Sequence, residues 1–138
     1  MSPSLAPSDD KTIYKLVFFV PPENTQACLM AIFSARGGIW PNPPLPTGQP
    51  DTSPPKYENC AFISKGTGQF RPSKHANPHI GKPGEREEVE EDRVETIIVG
   101  TLETVGRAVE ALRKAHPYEV AAVFLESKPQ DRTIRNID

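Results

Sequence analysis

The residues of this chain best suited to chemistry form a long segment between two strand-like runs, from Gly66 to Gly81. From Lys65 to Lys82 the chain carries four cations and two histidines but no acid. Glycine backbone N–H groups, together with arginine or lysine side chains, can bind a phosphate or a carboxylate without a helix. We therefore expect an anionic small molecule or a protein partner to bind here; the alternative is a rigid turn with a solvated cationic edge. The candidate ligand-binding residues are Gly66, Thr67, Gly68, Phe70, Arg71, Lys74 and Asn77.

Known nucleotide-binding motifs do not explain these glycines. The run Gly66–Arg71 has two glycines but lacks the third of a dinucleotide fingerprint, and Pro72 follows where that motif begins a helix. The Walker pattern is absent from the sequence. The segment is therefore predicted to bind an anion that the sequence does not name.

The two histidines of the segment give a second reading, as ligands of a divalent copper or zinc ion. His75 and His79 are four residues apart, a spacing that on a helix would place both rings on one face. Asn77-Pro78 between them argues against a helix, so the spacing loses its force. The alternative is that the histidines lie on the surface. The candidate metal ligands are His75, His79, His116, Glu119 and Cys60.

A third reading is a hydrolase-type enzyme with a site at a subunit interface. It would require His116 and Glu119 to converge with the glycine-rich segment, because acid–base partners must lie within hydrogen-bond reach. A structural interpretation of the same corner has Pro117 ending a helix and Tyr118 packing against the domain, and we favour it. No Ser/His/Asp or Cys/His arrangement stands out, so no catalytic residue is assigned.

Composition narrows the classes of function. The chain has 138 residues and a formal net charge of −2, which favours neither nucleic acid nor a membrane as a partner. Cys28 falls in an apolar helical run and Cys60 in a strand-like run, so we interpret both as core residues. The first ten residues are polar and rich in proline, unlike a secretory signal. With two distant cysteines the cytoplasm is the expected compartment, and the nucleus is the alternative.

Hydrophobic periodicity predicts six elements in the order βαββαβ. With two right-handed crossovers, this order gives the α+β, ferredoxin-like split βαβ fold, in which a four-stranded antiparallel sheet carries both helices on one face. Thr101 or Thr104 is expected to cap the second helix. The expected elements are strand Ile13–Val20, a helix from Pro21 to about Arg36, strand Tyr57–Lys65, strand Val94–Val99, a helix over 101–115 and strand Val120–Ser127.

These elements are expected to form one domain over residues 12–127, between a disordered leader at 1–11 and a polar tail at 128–138. A proline-rich insertion spans 41–56 and contains seven prolines, which exclude a helix or a central strand. We interpret it as an idle surface insertion, with docking to a proline-binding partner as the alternative. A long loop is expected over 65–88, before the third strand.

The acidic run at 85–95 carries seven acids. We interpret it as a solvated strand edge that resists aggregation, with binding of a cation or of a neighbour's basic loop as alternatives. The run Ala27–Phe33 in the first helix is apolar nearly all round, which is more than contact with one sheet requires. Extra apolar surface on a small domain predicts a homo-oligomer, unless a loop covers the helix.

Several motifs together resemble the YqfO-type domain, the CutA-like and PII-like module inserted in some NGG-interacting-factor-like proteins. The resemblance extends over about residues 13–127. It rests on Tyr14–Pro21, on Tyr57 with Cys60 and Phe62, on Gly66–Pro72, on Ala76–Gly81, on Glu91 with Arg93 and Glu95, and on Ala115–Glu119.

This resemblance implies a ferredoxin-like fold, trimeric association like that of CutA and PII proteins, and a long loop where PII proteins carry a ligand-responsive one. It implies little about a reaction, so the leading hypothesis is a non-catalytic, oligomeric binding or regulatory module; a divalent metal is the candidate cofactor of the alternative, CutA-like reading. The proline-rich insertion departs from the short connection usual in the family. Hydrolase-type activity in larger relatives belongs to metal-carrying domains outside this similarity, so it is not transferred to this chain.

Overall fold

The computed structural model of the protein describes residues 12–128, so the expected leader and tail lie outside the described residues. A short 3-10 turn at Pro22–Asn24 precedes the first helix. In the described part, no helix is long and apolar enough to cross a membrane. The strands are β1 Ile13–Val20, β2 Ala61–Phe70, β3 Glu87–Val99 and β4 Val123–Lys128, and the helices are α1 Thr25–Ser34 and α2 Leu102–Ala115.

The four strands form one antiparallel sheet in the order β2-β3-β1-β4. With the element order βαββαβ, this confirms the ferredoxin-like fold predicted from the sequence. The register divides β3 into two halves that pair with different strands. Val20 at the end of β1 pairs with Asp92, so Glu87–Glu91 pair with β2 alone. The acidic run was expected at a solvated strand edge, and Glu87–Glu91 agree with that because they do not pair with β1, whereas residues 92–95 lie inside the sheet between β2 and β1.

The core lies between the sheet and the two helices. Leu16 and Phe18 alternate toward the helices and are fully buried, as are Ile32 of α1 and Leu112 of α2. Helix α2 has the predicted one-sided stripe, with buried Val105, Ala108 and Leu112. Thr101 caps it by accepting a hydrogen bond from the backbone N–H of Thr104.

Helix α1 is shorter than predicted, and its own chain covers most of its apolar surface. It ends at Ser34, and Arg36 takes a left-handed conformation with φ of 77°. A Cβ added at Gly38 would lie 2.5 Å from the ring of Phe33, so the chain after the helix packs closely against it. Met30 is the one large apolar residue of α1 that is exposed in the described residues. The chain that follows the helix therefore covers most of the apolar surface from which an oligomer was predicted.

The proline-rich insertion is an exposed loop whose ends are joined by hydrogen bonds. The backbone N–H of Trp40 donates to the Tyr57 carbonyl at 3.2 Å. Inside that closure the Asn42 amide donates to the carbonyls of Ser53 and Pro54. Its residues form neither helix nor strand, as the prolines predicted.

The glycine-rich segment differs most from the prediction. Strand β2 begins at Ala61 and continues through both glycines to Phe70, so residues expected in the loop belong to the sheet. Glycine has a low strand propensity, but here pairing with β3 overrides it. The connecting loop is residues 71–86, and its neck is closed by the Gly84 N–H, which donates to the Pro72 carbonyl at 2.7 Å.

Candidate functional site

A groove of about 580 Å³ opens beside the outer end of the β2–β3 hairpin. One wall is the end of β2, the second is loop 71–86, and the third is the segment 118–122 between α2 and β4. The lining is mainly apolar and aromatic, with a few polar groups, which is the usual composition of a small-molecule site. The lining side chains that the argument uses are Phe70, Arg71, His79, Glu91, Tyr118 and Glu119.

Tyr118 and Glu91 form the central polar pair of the groove. The Tyr118 hydroxyl donates to Glu91 Oε2 at 2.7 Å. Burial raises the pKa of Tyr118, and the hydrogen bond to Glu91 raises it further, so Tyr118 stays a neutral donor. The other carboxylate oxygen of Glu91 lies against Gly68, where an added Cβ would collide with it. Gly68 therefore makes room for this carboxylate in the groove.

His116 holds Tyr118 in place from behind. Its Nε2 lies 2.7 Å from the Phe19 carbonyl, and the backbone N–H of Tyr118 donates to its Nδ1 at 3.1 Å. A carbonyl can only accept and an amide N–H can only donate, so the ring must be neutral with its proton on Nε2. Burial lowers the pKa of His116 and outweighs the hydrogen bond to Phe19 and the charge of Glu91, which raise it. His116 and Glu119, which the hydrolase reading requires to act together, do not form a hydrogen bond with each other.

Loop 71–86 is attached to the opposite wall by one hydrogen bond and one ring contact. The backbone N–H of Asn77 donates to Glu119 Oε2 at 2.9 Å. The rings of His79 and Tyr118 lie 6.3 Å apart, and those of Phe70 and Tyr118 lie 6.4 Å apart. These contacts hold the loop close to the segment after α2 and define the width of the groove.

A buried carboxylate, that of Asp92, joins the hairpin to the first helix. The Asp92 carboxylate is buried and accepts from Thr25 Oγ1 at 2.6 Å and from Lys65 Nζ at 2.9 Å. Burial on its own would raise the pKa of Asp92, but these two hydrogen bonds lower it overall. Lys65 is therefore engaged in structure, and the cationic character of the segment depends on the remaining residues.

The predicted ligand residues divide into two groups. Thr67, Gly68, Phe70 and Arg71 line the groove. Gly66, Lys74 and Asn77 do not line it, although the Asn77 backbone helps to fix the loop. Within residues 12–128, the Arg71 guanidinium makes no hydrogen bond or ion pair.

The predicted metal ligands do not come together in the described part of the chain, where no three His, Cys, Asp or Glu side chains could hold an ion. His79 and Glu119 line the groove, but His75 does not. Both ring nitrogens of His116 are occupied by hydrogen bonds. Cys60 lies before the opposite end of β2, roughly 30 Å from Phe70 at ~3.3 Å per strand residue. The metal and hydrolase readings remain predictions without an assembled site in this single chain.

Cys28 is buried in the core and does not line the groove. Burial raises the pKa of the Cys28 thiol to about 11, in agreement with its interpretation as a core residue. Sequence reasoning missed Phe19 and Glu91 as groove residues and gave Tyr118 only a packing role. Glu91 pairs with Gly66, two residues from Gly68 along β2, so the hairpin register would have revealed it.

The chain is similar to one segment of longer proteins. It is 40% identical over 121 residues to the GTP cyclohydrolase 1 type 2 homolog of Halalkalibacterium halodurans, and the match covers 88% of this chain and 28% of that protein. Among solved structures, a Bacillus cereus protein related to NIF3 has a TM-score of 0.63 and 30% identity, over 90% of this chain and 28% of that chain. This chain thus spans little more than a quarter of those relatives. No protein-family model matches it.

Two smaller proteins share the fold over nearly their whole length. CutA1 of Ehrlichia chaffeensis has a TM-score of 0.54 and 15% identity, over 91% of this chain and 89% of its own. GlnK of B. subtilis, solved as an ATP complex, has a TM-score of 0.51 and 11% identity, over 90% and 88%. At these identities the likeness establishes a CutA-like and PII-like fold. The longer relatives agree with the resemblance to NGG-interacting-factor-like proteins in the sequence.

Proposed function

We propose that the chain is a non-catalytic ligand-binding or regulatory module whose ligand occupies the groove beside the β2–β3 hairpin. The observation that carries the proposal is the guanidinium of Arg71, which has no hydrogen-bond or ion-pair partner among the described residues and lines a mainly apolar, partly aromatic groove. Such a groove fits a small organic molecule with a flat apolar body and one acidic group. The ring contacts of Tyr118 with Phe70 and His79 provide faces for the body, and Arg71 provides a two-pronged donor for the acid.

Glu91 and Glu119 limit which anions this groove would accept. Both carboxylates line it, so a highly charged anion would meet repulsion as well as the attraction of Arg71. Tyr118 and Asn77 donate hydrogen bonds to these acids and offset part of their charge. We therefore expect organic monoanions to bind better than inorganic phosphate, because phosphate gains nothing from the aromatic walls.

We further propose that the module is a homo-oligomer, with the trimer favoured. The support lies on the sheet face opposite the helices, where Phe62 and Phe124 are 65% and 58% exposed. Both pair with β-strand residues of that face, Phe62 with Glu95 and Phe124 with Val17. Exposed aromatic residues on a flat sheet face commonly form protein contacts. Light scattering of the wild type and of Phe124→Asp should give an oligomer and a monomer respectively, whereas a monomeric wild type at micromolar concentration would contradict this part.

The ligand proposal is tested by a thermal-shift and calorimetry screen of ATP, GTP and aromatic and aliphatic carboxylates. A bound ligand raises the unfolding temperature because it binds only the folded state. Arg71→Ala is the test variant, since Arg71 lines the groove, and Lys74→Ala is the matched control, an exposed cation of the same loop outside the lining.

We expect Arg71→Ala to weaken binding about tenfold or more, as loss of a charge-assisted hydrogen bond does. Lys74→Ala should bind nearly as the wild type does. Equal loss in both variants would mean that the general charge of the loop attracts anions and the groove does not. No response to any member of the panel would contradict the proposal.

A further inference from the structure

The proline-rich insertion contains a short peptide motif that its place in the fold leaves fully accessible. Pro54-Pro55-Lys56-Tyr57 has the form Pro-Pro-x-Tyr, and all four residues are exposed. We propose that this tetrapeptide docks into the aromatic groove of a WW domain, a small module that binds proline-rich segments. The proposal is independent of the ligand groove, which lies at the other end of β2.

Tyr57 is the only tyrosine of the described residues whose side chain is exposed. Tyr14 is buried at 6% exposure in the core, and the Tyr118 hydroxyl is bonded to Glu91. Tyr57 is 70% exposed, and no hydrogen bond engages its hydroxyl within the described part of the chain. Only its backbone is used, when its carbonyl accepts from Trp40. The Tyr57 side chain, which follows the two prolines and is exposed to solvent, is therefore available to bind a partner.

The Asn42 side chain restrains the backbone of the motif before any partner arrives. The Asn42 amide donates to the carbonyls of Ser53 and Pro54, each at 3.1 Å, and its oxygen accepts from the Lys56 N–H at 3.0 Å. Pro54 and Pro55 each fix φ near the polyproline II value. Asn42 bonds only backbone atoms of this segment, and the proline rings and the Tyr57 side chain remain exposed. A peptide whose backbone is already restrained loses less entropy on binding.

The chemistry of the motif selects the kind of partner. Polyproline II segments dock onto aromatic-lined grooves in WW and SH3 domains. A tyrosine two residues after a proline pair adds an aromatic anchor with a hydroxyl at one end, which suits the Pro-Pro-x-Tyr class of WW domains. A second run, Pro43-Pro44-Leu45-Pro46, lies in the same loop, but Leu45 is less exposed, at 43%. We therefore assign the docking to Tyr57.

The test uses the full chain and an isolated WW domain that recognises Pro-Pro-x-Tyr peptides, with fluorescence anisotropy or calorimetry as the readout. Tyr57→Ala is the test variant. Lys56→Ala is the matched control because position x faces no pocket, and Leu45→Ala tests the second proline run. Thermal unfolding of each variant establishes that it is folded, which we expect because all three side chains are exposed.

We expect micromolar binding of the wild type, a loss of about tenfold or more in Tyr57→Ala, and near-wild-type affinity in the other two variants. Unchanged binding in Tyr57→Ala, or a loss confined to Leu45→Ala, would overturn the assignment. No binding of the wild type, or binding to an SH3 domain alone, would overturn it as well.

Discussion

The two halves of β3 differ in what holds them, and the difference separates the fold from the candidate site. Residues 92–99 pair with β1, and 92–96 pair with β2 as well; this half lies under the helices, where Val94 and Ile98 are fully buried. Residues 87–91 pair with β2 alone and depend on a few polar contacts to loop 71–86 and to Tyr118. The inner half is stabilised by apolar burial and the outer half by specific hydrogen bonds.

This contrast indicates where the protein can move. The free energy of local opening is lowest in segments that have few apolar contacts and many exposed backbone groups. The outer hairpin meets that description, and the groove lies there. A ligand that joins the hairpin to the segment 118–122 would add contacts where the chain has fewest. The following predictions test whether the two halves respond separately.

The largest effect is expected in the inner half. Phe18→Ala removes a fully buried ring that packs on both helices and on His116. We expect a loss of about 3–5 kcal/mol in the free energy of unfolding, measured by urea denaturation. Tyr57→Ala is the control, since that ring is 70% exposed. A loss below about 1 kcal/mol in Phe18→Ala would mean that the core lies elsewhere.

Asp92 lies where the two halves of β3 meet, and its removal should cause the second-largest loss of stability. Asp92→Ala leaves Thr25 and Lys65 without their partner, so we expect a loss of about 2–3 kcal/mol in the free energy of unfolding. The lowered pKa of Asp92 means that this contribution is complete above about pH 4, the unfolded value, and is lost as the pH falls below it. Glu90→Ala, an exposed acid on the same strand, should change stability by less than about 0.5 kcal/mol.

His116 should make the stability of the outer half depend on pH. Its pKa is lowered in the folded chain, so the unfolded chain binds the extra proton first and stability falls as the pH drops below about 6.5. The protonated ring would also lose the hydrogen bond from the Tyr118 N–H. Urea denaturation from pH 7.5 to 5.5 should show this fall in the wild type and a smaller one in His116→Gln. If the free energy of unfolding fell equally with pH in the two proteins, the assigned neutral tautomer of His116 would be contradicted.

The smallest change in stability is expected from the two glycines of β2, which make a matched pair. Gly68→Ala must displace the Glu91 carboxylate, whereas an added Cβ at Gly66 meets nothing within 4 Å. We expect Gly68→Ala to cost about 1 kcal/mol or less and to alter ligand affinity, because flexible Glu91 can move at the expense of its bond to Tyr118. Gly66→Ala should leave ligand affinity unchanged. Identical behaviour of the two variants would remove Gly68 from the site.

The sequence predicted the inner half of the molecule well because apolar periodicity is a local signal. The apolar run of β1 and the apolar stripe of α2 are visible without any partner. The outer half depends on register, which the sequence does not display. Gly66 and Gly68 suggested a flexible loop, although pairing with β3 makes them strand.

The site was predicted in part for the same reason. Arg71 and Phe70 were identified from residue type, and both line the groove. Glu91 was interpreted as one more acid in a solvated run, since nothing local distinguishes it from Glu90. Its partner Tyr118 is 27 residues away, and only the folded chain brings the two together.

Backbone hydrogen exchange tests the account most directly, measured without ligand and with the best-binding anion of the panel. Without ligand, amides at 67–70 and 87–91 should exchange faster than those at 94–99. With ligand, protection should rise at 67–71 and 118–122, remain constant at 94–99, and fail to rise in Arg71→Ala. Protection that rises outside the groove, or uniformly over both halves of β3, would contradict the assignment of the ligand to the hairpin.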